Sequence, residues 1–348
     1  MPHPSLPSTM RALVQTGVRQ LEVMERPLPE LAPHEILVQV RRCGICTFEQ
    51  RIYTGSKDFP LPTITGHEAS GVVAAVGPKA RTSLQVGDRV ALDLLDRCGE
   101  CYYCRRGLGN HCVYGFGGKR QLGGFGQYVA IHPRQAFKLA DGISLEEGTL
   151  AEPIADVVRS IHRGNGRAGD VALVIGCGLM GQVHLVVGRA WGLRVIAVDV
   201  NQRRLATARQ LGAEAVYNPA QDNVAAAVNA LTSGHGAPVV FLVAPGAQAA
   251  KLALEAVGIG GTVVIYTANY PPVELPIDLN LLHYKEITLT GTESRTAQEF
   301  AQGMELLNSG MLQLRPLLSA FYALEAADDA FQQALAGDSY RVILRVSE

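Results

Sequence analysis

The spacing of apolar and polar positions changes character near Glu152. From Met10 to about residue 150 the chain carries short β-type runs, EILVQVRRC, ASGVVAAVG, DRVALDL and GQYVAI, broken by Gly and Pro. This pattern predicts an antiparallel, partly barrel-like domain. Beyond Glu152 the runs become compact and wholly apolar: VALVIG, RVIAVD, VVFLVA and TVVIYT. Helical patterns such as NQRRLATARQLGA and AQAAKLALEAVG separate them. Strands alternating with helices predict βαβ units and a parallel sheet. After about Gly291 come two helical stretches, AQEFAQGMELLNSG and LEAADDAFQQALAG, and a closing strand, RVILRV. The opening MPHPSLPST has no apolar core. It is expected to be a disordered leader rather than a secretory signal, with the first strand starting at MRALV.

Chemistry concentrates first in the segment CGECYYCRRGLGNHC, which holds Cys98, Cys101, Cys104 and Cys112. Four soft thiolates within one short loop can close a tetrahedral shell around zinc and leave no open position. Such a shell staples a loop and does no catalysis. The alternatives are a pair of disulfides or four unrelated thiols. The tight spacing, and the absence of any secretory feature, favour zinc.

The second signal is VALVIGCGLMG, from Val171 to Gly181, a strand running directly into G-x-G-x-x-G and then a helix. Gly176 suits the tight turn, Gly178 the approach of a pyrophosphate, and Gly181 close helix–strand packing. The helix start offers free N–H groups to phosphates. An acidic residue, Asp199, ends the next strand in RVIAVDVN. Its carboxylate can accept from ribose hydroxyls and would repel a 2′-phosphate, so NAD is expected ahead of NADP. Arg203 and Arg204 are the counter-evidence. They are read as the solvated start of the next helix, with Arg204 placed to brace the ribose. Cys177, inside the fingerprint, is read as a small residue fitting the turn.

These motifs, in this order, resemble the zinc-dependent medium-chain dehydrogenase/reductase superfamily, and within it the polyol branch of sorbitol- and threonine-dehydrogenase-like enzymes. The resemblance runs from Met10 to Val346. It implies an α/β protein: a GroES-like, partly open β-barrel catalytic domain over 1–153 and 291–348, with a structural zinc lobe at about 96–113, and a Rossmann doubly wound parallel sheet over 154–290. It also implies a catalytic zinc. CGICTFE, from Cys43 to Glu49, matches the loop of the first ligand, which by position is Cys46; Cys43 is read as a buried small hydrophobe. Thr65-Gly66-His67-Glu68 supplies His67 as second ligand. Ala151-Glu152-Pro153 is the third piece. Glu68 and Glu152 compete for the third ligand place, the other standing behind it or holding the zinc water. Glu49 is expected to orient His67. Leu179, Met180, Val243, Thr267 and Thr292 are further expected nucleotide contacts. Two zincs per chain and NAD, its nicotinamide facing the catalytic zinc, are the cofactors implied, with a homodimer or homotetramer as the assembly.

One departure stands out. Where alcohol-oxidising relatives carry Ser or Thr two residues after the zinc cysteine, this chain has Phe48, and a relay histidine further on is replaced by Arg51. Phe48 cannot carry a proton; Thr47 is adjacent. Arg51 can attract an anionic or heavily hydroxylated substrate.

Composition narrows the classes that remain. The 348 residues, 47% of them hydrophobic, exceed what a single core organises. A net charge of −1 indicates neither nucleic acid nor a membrane surface as partner. No apolar stretch reaches about 18 residues, so no transmembrane helix is expected. All seven cysteines have readings other than disulfides, which suits a reducing cytoplasm. The expected function is NAD-dependent oxidation of a secondary alcohol of a polyol, sugar or related small molecule. The runners-up are a reductase of aldehydes or activated C=C bonds that has abandoned the relay, and a non-catalytic nucleotide-binding protein.

Overall fold

The computed structural model describes residues 6–115 and 122–348. The expected leader falls largely on residues 1–5, outside the described residues. In chain order the strands are β1 (Thr9–Gly17), β2 (Gln20–Pro27), β3 (Ile36–Gly44), β4 (Glu68–Val76), β5 (Arg89–Asp93), β6 (Tyr128–Ile131), β7 (Ala136–Lys138), β8 (Val171–Ile175), β9 (Arg194–Val198), β10 (Ala215–Tyr217), β11 (Ala237–Leu242), β12 (Val257–Ile265), β13 (Thr288–Gly291), β14 (Leu318–Ala323) and β15 (Arg341–Arg345).

The chain forms two compact units. The first comprises Met1–Glu152, Thr296–Gly310 and Leu314–Glu348; the second comprises Pro153–Arg295 and Met311–Gln313. In the first unit β1 and β2 make an antiparallel hairpin. A larger sheet runs β14-β15-β3-β4-β5-β7, with β6 also on β3. The four runs named from the pattern are β3 to β6, and their mutual pairings are antiparallel. The pair β14–β15 is parallel instead. Parallel neighbours need a crossover, and the helix Ala327–Leu335 between them provides it. Its Ala330 and Phe331 bury into the same core as Ile36, Val38, Val90, Phe125 and Leu344.

The second unit holds the parallel sheet, in the order β10-β9-β8-β11-β12-β13. Every pairing in it is parallel. This is the doubly wound order 3-2-1-4-5-6, with its switch point between β8 and β11. Strand β8 is buried at all five positions, which explains its unbroken apolar run: a sheet covered by helices on both faces has no polar side to signal. No helix of the described residues is long and apolar enough to cross a membrane.

Candidate active site

Cys46 follows β3 and caps the helix Thr47–Thr54 in extended backbone, φ −80° and ψ 164°. Cys43, three residues earlier, lies inside β3 and is fully buried in the core; burial pushes its thiol well above the ordinary value. The strand ends between the two cysteines, so only Cys46 reaches the site. His67 arrives from the turn before β4. That turn needs Gly66, at φ +88°, because a Cβ there would sit 2.8 Å from the Phe125 backbone nitrogen.

Glu49 joins the two segments. It is fully buried, and its Oε2 accepts the Cys46 N–H at 3.1 Å. Its Oε1 accepts the Gly66 N–H at 3.2 Å and stands 2.7 Å from His67 Nδ1. A carboxylate at Nδ1 holds the proton there and leaves the Nε2 lone pair for another partner. His67 Nε2 is 3.6 Å from Glu152 Oε1, in the first turn of the helix Ala151–Gly164.

Ligand atoms of Cys46, His67 and Glu68 all lie within 4.8 Å of one another. Glu68 is tied from the far end of the chain: Arg341 of β15 donates to Glu68 Oε1 and to the Ile45 carbonyl, each at 2.6 Å. Glu68 Oε2 is buried with no hydrogen-bond partner. A thiol, an imidazole nitrogen and an orphaned carboxylate oxygen form a donor set that suits zinc. The electrostatics agree. Burial raises the Glu68 carboxyl well above its usual range; Arg341 opposes this, while Cys46 and Glu152 add to it. Burial would strip His67 of a proton, but the Glu49 and Glu152 carboxylates outweigh it and hold its pKa well above the ordinary value. Burial would raise the Cys46 thiol, yet the hydrogen bond and charge of His67 bring it below the usual value. The site is built for a positive charge at its centre.

Around it, Thr47 is exposed, with its hydroxyl 3.8 Å from Cys46 Sγ. Phe48 meets the His67 ring edge-on at 5.6 Å and Phe59 at 5.8 Å. Arg51 is half-buried one turn further along the same helix. Arg341 went unnoticed in the sequence. The available signal was an arginine at the head of a closing strand whose next three residues are apolar, which buries only if a carboxylate awaits it.

In the lobe, the four sulfurs of Cys98, Cys101, Cys104 and Cys112 also lie within 4.8 Å of one another, and none is disulfide-bonded. Backbone N–H groups point at them. Cys98 Sγ accepts from Glu100 at 3.4 Å and Cys101 at 3.3 Å, and Cys112 Sγ accepts from Cys98 at 3.4 Å. Backbone donors at Cys104 and Val113 bring the Cys101 thiol down to about 6. Burial, with the neighbouring thiols, pushes Cys104 up to about 12. The cluster can hold a structural zinc. His111 is exposed beside it and is not part of it.

In the second unit the three fingerprint glycines differ in what surrounds them. Gly176, at φ +101°, would place a Cβ 2.7 Å from the Ala244 nitrogen. A Cβ on Gly181 would lie 1.8 Å from the Gly176 carbonyl oxygen. A Cβ on Gly178 would meet nothing within 4 Å. Two glycines thus serve the fold, and the third leaves open the space where a pyrophosphate would approach, at the head of the helix Leu179–Ala190 whose first residues are Leu179 and Met180. Asp199, just past β9, is buried and braces this turn: its Oδ2 accepts the Cys177 N–H at 2.7 Å and its Oδ1 the Asn201 N–H at 2.8 Å. Arg204 Nη1 is 3.8 Å from Asp199 Oδ2. Cys177 is buried, and burial and Asp199 push its thiol far up. Val243, Thr267 and Thr292 follow β11, β12 and β13 at the carboxyl edge of the sheet, and Thr292 Oγ1 is buried without a hydrogen-bond partner.

A nucleotide sheet in one unit and two ligand clusters in the other define a metal- and dinucleotide-binding oxidoreductase fold. Comparison with known proteins agrees. Residues 32–141 match the alcohol dehydrogenase GroES-like domain, and residues 180–309 match the zinc-binding dehydrogenases. The chain is similar to sorbitol dehydrogenase of Bacillus subtilis (strain 168), 29% identical over 95% of both chains. It is similar to 2-dehydro-3-deoxy-L-galactonate 5-dehydrogenase of Pseudoalteromonas atlantica, 33% identical over 92% of this chain and 94% of the relative. Among solved structures, alcohol dehydrogenase TADH from Thermus sp. ATN1 superposes with a TM-score of 0.87 at 30% identity, covering 97% of this chain and 99% of that one. The chain belongs to the zinc-binding dehydrogenases, with a GroES-like domain and a Rossmann-type sheet. It is an enzyme of the alcohol and polyol dehydrogenase kind.

Proposed function

We propose that this enzyme transfers hydride between NAD and a secondary alcohol of a polyol, sugar or related hydroxy compound, giving a ketone. The observation that carries this reading is the convergence of Cys46, His67 and Glu68 ligand atoms within 4.8 Å, with Glu49 fixing the His67 tautomer. In it Cys46, His67 and Glu68 hold a catalytic zinc, and Cys98, Cys101, Cys104 and Cys112 a structural one. When bound, zinc supplies Lewis acidity toward a hydroxyl and the nicotinamide supplies the hydride acceptor, so the carbinol C–H leaves as hydride and its O–H as a proton.

The protein's residues handle that proton and the alignment. Glu152, close to His67 Nε2, is the group placed to take the proton, with Thr47 as the other route, since Phe48 has none to exchange. Arg341 keeps Glu68 from swinging away. Asp199 selects NAD by accepting from ribose hydroxyls and opposing a 2′-phosphate. The substrate is a small molecule, the assembly a homodimer or homotetramer, and the free thiols suit a cytoplasmic setting. A polyol, sugar and carbonyl panel with NAD, NADP and their reduced forms tests the reading at the nicotinamide absorbance. Oxidation of a secondary alcohol with NAD bears it out, and Glu152→Gln then lowers the maximal rate and alters its pH dependence.

A second reading draws on Phe48, whose ring lies against His67 where a relay hydroxyl would otherwise stand. It makes the enzyme a reductase of aldehydes or activated C=C bonds. Reduction of those compounds by NADH, with no alcohol oxidised, decides for it.

A further inference from the structure

The segment after the helix Thr47–Thr54 holds a cation beside Phe48. Gly55 takes left-handed backbone, φ 75°, and turns the chain back on the helix end. The Arg51 carbonyl then accepts the Lys57 N–H at 3.1 Å and the Thr54 and Ser56 hydroxyls at 3.3 Å each. This clasp fixes the backbone from which the Lys57 side chain reaches over the Phe48 ring, its Nζ 5.5 Å from the ring centre. Phe48 in turn packs edge-on against His67. One aromatic ring therefore separates a lysine ammonium from the histidine of the metal-ligand cluster. Arg51 stands three residues beyond Phe48, on the same face of the helix.

That arrangement is a poor match for a neutral polyol. A chain of hydroxyls running from the cluster along Phe48 meets a ring that can neither donate to it nor accept from it in the plane of the chain. Beyond the ring it meets a positive charge. Among the described residues Lys57 makes no ion pair, its acidic neighbour Asp58 included, so the charge remains available. Near the cluster the buried carboxylates Glu49, Glu68 and Glu152 disfavour an anion, whereas the charge that stands over Phe48 is the Lys57 ammonium. A substrate with its hydroxyl at the cluster and an anion at its other end satisfies both fields.

Resting on the dehydrogenase reading above, we propose that the substrate is a hydroxy compound with an anionic terminus, a carboxylate or a phosphate, and that Lys57, with Arg51 beside it, is the specificity-determining group that reads that terminus.

The test uses zinc-loaded enzyme with NAD and three probes of equal length: a six-carbon aldonate, the corresponding hexitol, and the hexitol monophosphate. Wild type, Lys57→Met and Lys57→Arg are compared. A charged probe is expected to show the higher kcat/KM in wild type, and the arm that does so tells carboxylate from phosphate. Lys57→Met is expected to lower the charged-to-neutral ratio of kcat/KM roughly tenfold, mostly through KM. Lys57→Arg should recover most of the ratio, and added salt should narrow it. A hexitol preferred over both charged probes, or a ratio that Lys57→Met leaves unchanged, overturns the proposal. If no hydroxy compound is turned over, the dehydrogenase reading fails separately. Calorimetric binding of the two charged probes then decides: weaker binding to Lys57→Met than to wild type sustains the anion site, and equal or absent binding overturns it.

Discussion

Glu49 shows how much one side chain settles at this site. Its two oxygens accept from Cys46, Gly66 and His67, so a single carboxylate ties together the segments that carry Cys46 and His67 and sets the tautomer of His67. In Glu49→Gln the shape survives, but one oxygen becomes an amide donor that faces either an N–H or the imidazole. Affinity for the catalytic zinc is expected to fall by about 10- to 100-fold, the range for losing a partner that orients a metal-bound histidine. The four-cysteine zinc should be untouched. Competition against a chromogenic chelator measures both, and an unaltered catalytic-zinc affinity would show that Glu49 does not orient His67. Asp199 likewise accepts from two backbone N–H groups. The sequence suggested a ribose acceptor; the structure adds that it braces the glycine turn through Cys177 and Asn201. Asp199→Ala should accordingly weaken NAD by roughly tenfold or more. NADP should suffer less, because a repelling charge disappears with the brace. Titration of both nucleotides by fluorescence checks this, and a native preference for NADP would refute the reading of Asp199.

Elements legible in the sequence were those whose signal is local. The glycine fingerprint joins one strand, one turn and one helix, and each glycine has its reason within a few residues or one neighbouring strand. Gly181→Ala is expected to damage the unit itself, because its Cβ would collide with the Gly176 carbonyl. Gly178→Ala should fold normally, since its Cβ meets open space, yet bind nucleotide poorly. Thermal melts with and without NAD separate the two, and a destabilised apo Gly178→Ala would contradict the assignment. Illegible features depend on distant partners. Arg341 pairs with Glu68 across 273 residues. The parallel pairing of β14 with β15 depends on how a crossover helix packs, which alternation in either strand does not encode. The buried contact between the helices Ala151–Gly164 and Leu179–Ala190 is another such case. His184 Nδ1 donates to the Met180 carbonyl at 2.7 Å, and its Nε2 accepts from the Ser160 hydroxyl at 2.9 Å. Phe241 and Tyr266 pack against its ring. Burial lowers its pKa to about 4, outweighing the opposing hydrogen bond to Met180. Unfolded, it titrates near 6.5. Between those values the unfolded chain binds a proton that the native chain does not, so stability rises with pH there. This contribution is fully present above about pH 6.5 and is lost as pH falls through about 4. Urea unfolding should show wild type losing about 2 kcal/mol more than His184→Leu between pH 7 and pH 5. Identical pH slopes would mean that burial does not depress the pKa of His184 in the native state.

At the scale of the whole molecule, the two ligand sets belong to one unit but differ in what they can do. The lobe offers four cysteine sulfurs and closes on itself, with Gly99 and Gly107 at φ +77° and +72° making the turns that bring them together. The other cluster combines one sulfur, one nitrogen and one carboxylate oxygen, from Cys46, His67 and Glu68, so a tetrahedral ion held there would keep a fourth position for a substrate oxygen. The four-cysteine lobe was legible in the spacing of its cysteines, and the second cluster only through the family resemblance; which glutamate stands within reach of both Cys46 and His67 was not legible, because it depends on the Arg341 contact. Two zincs per chain are expected in metal-replete protein. Each should vanish independently: Cys104→Ser should lose one and lower the thermal midpoint by several degrees. His67→Ala should lose the other, abolish turnover and leave the midpoint nearly in place. Elemental analysis read beside the melting curves distinguishes the two sites. Fewer than two zincs in carefully loaded protein, or loss of both metals in either variant, would show that the clusters are not separate metal centres.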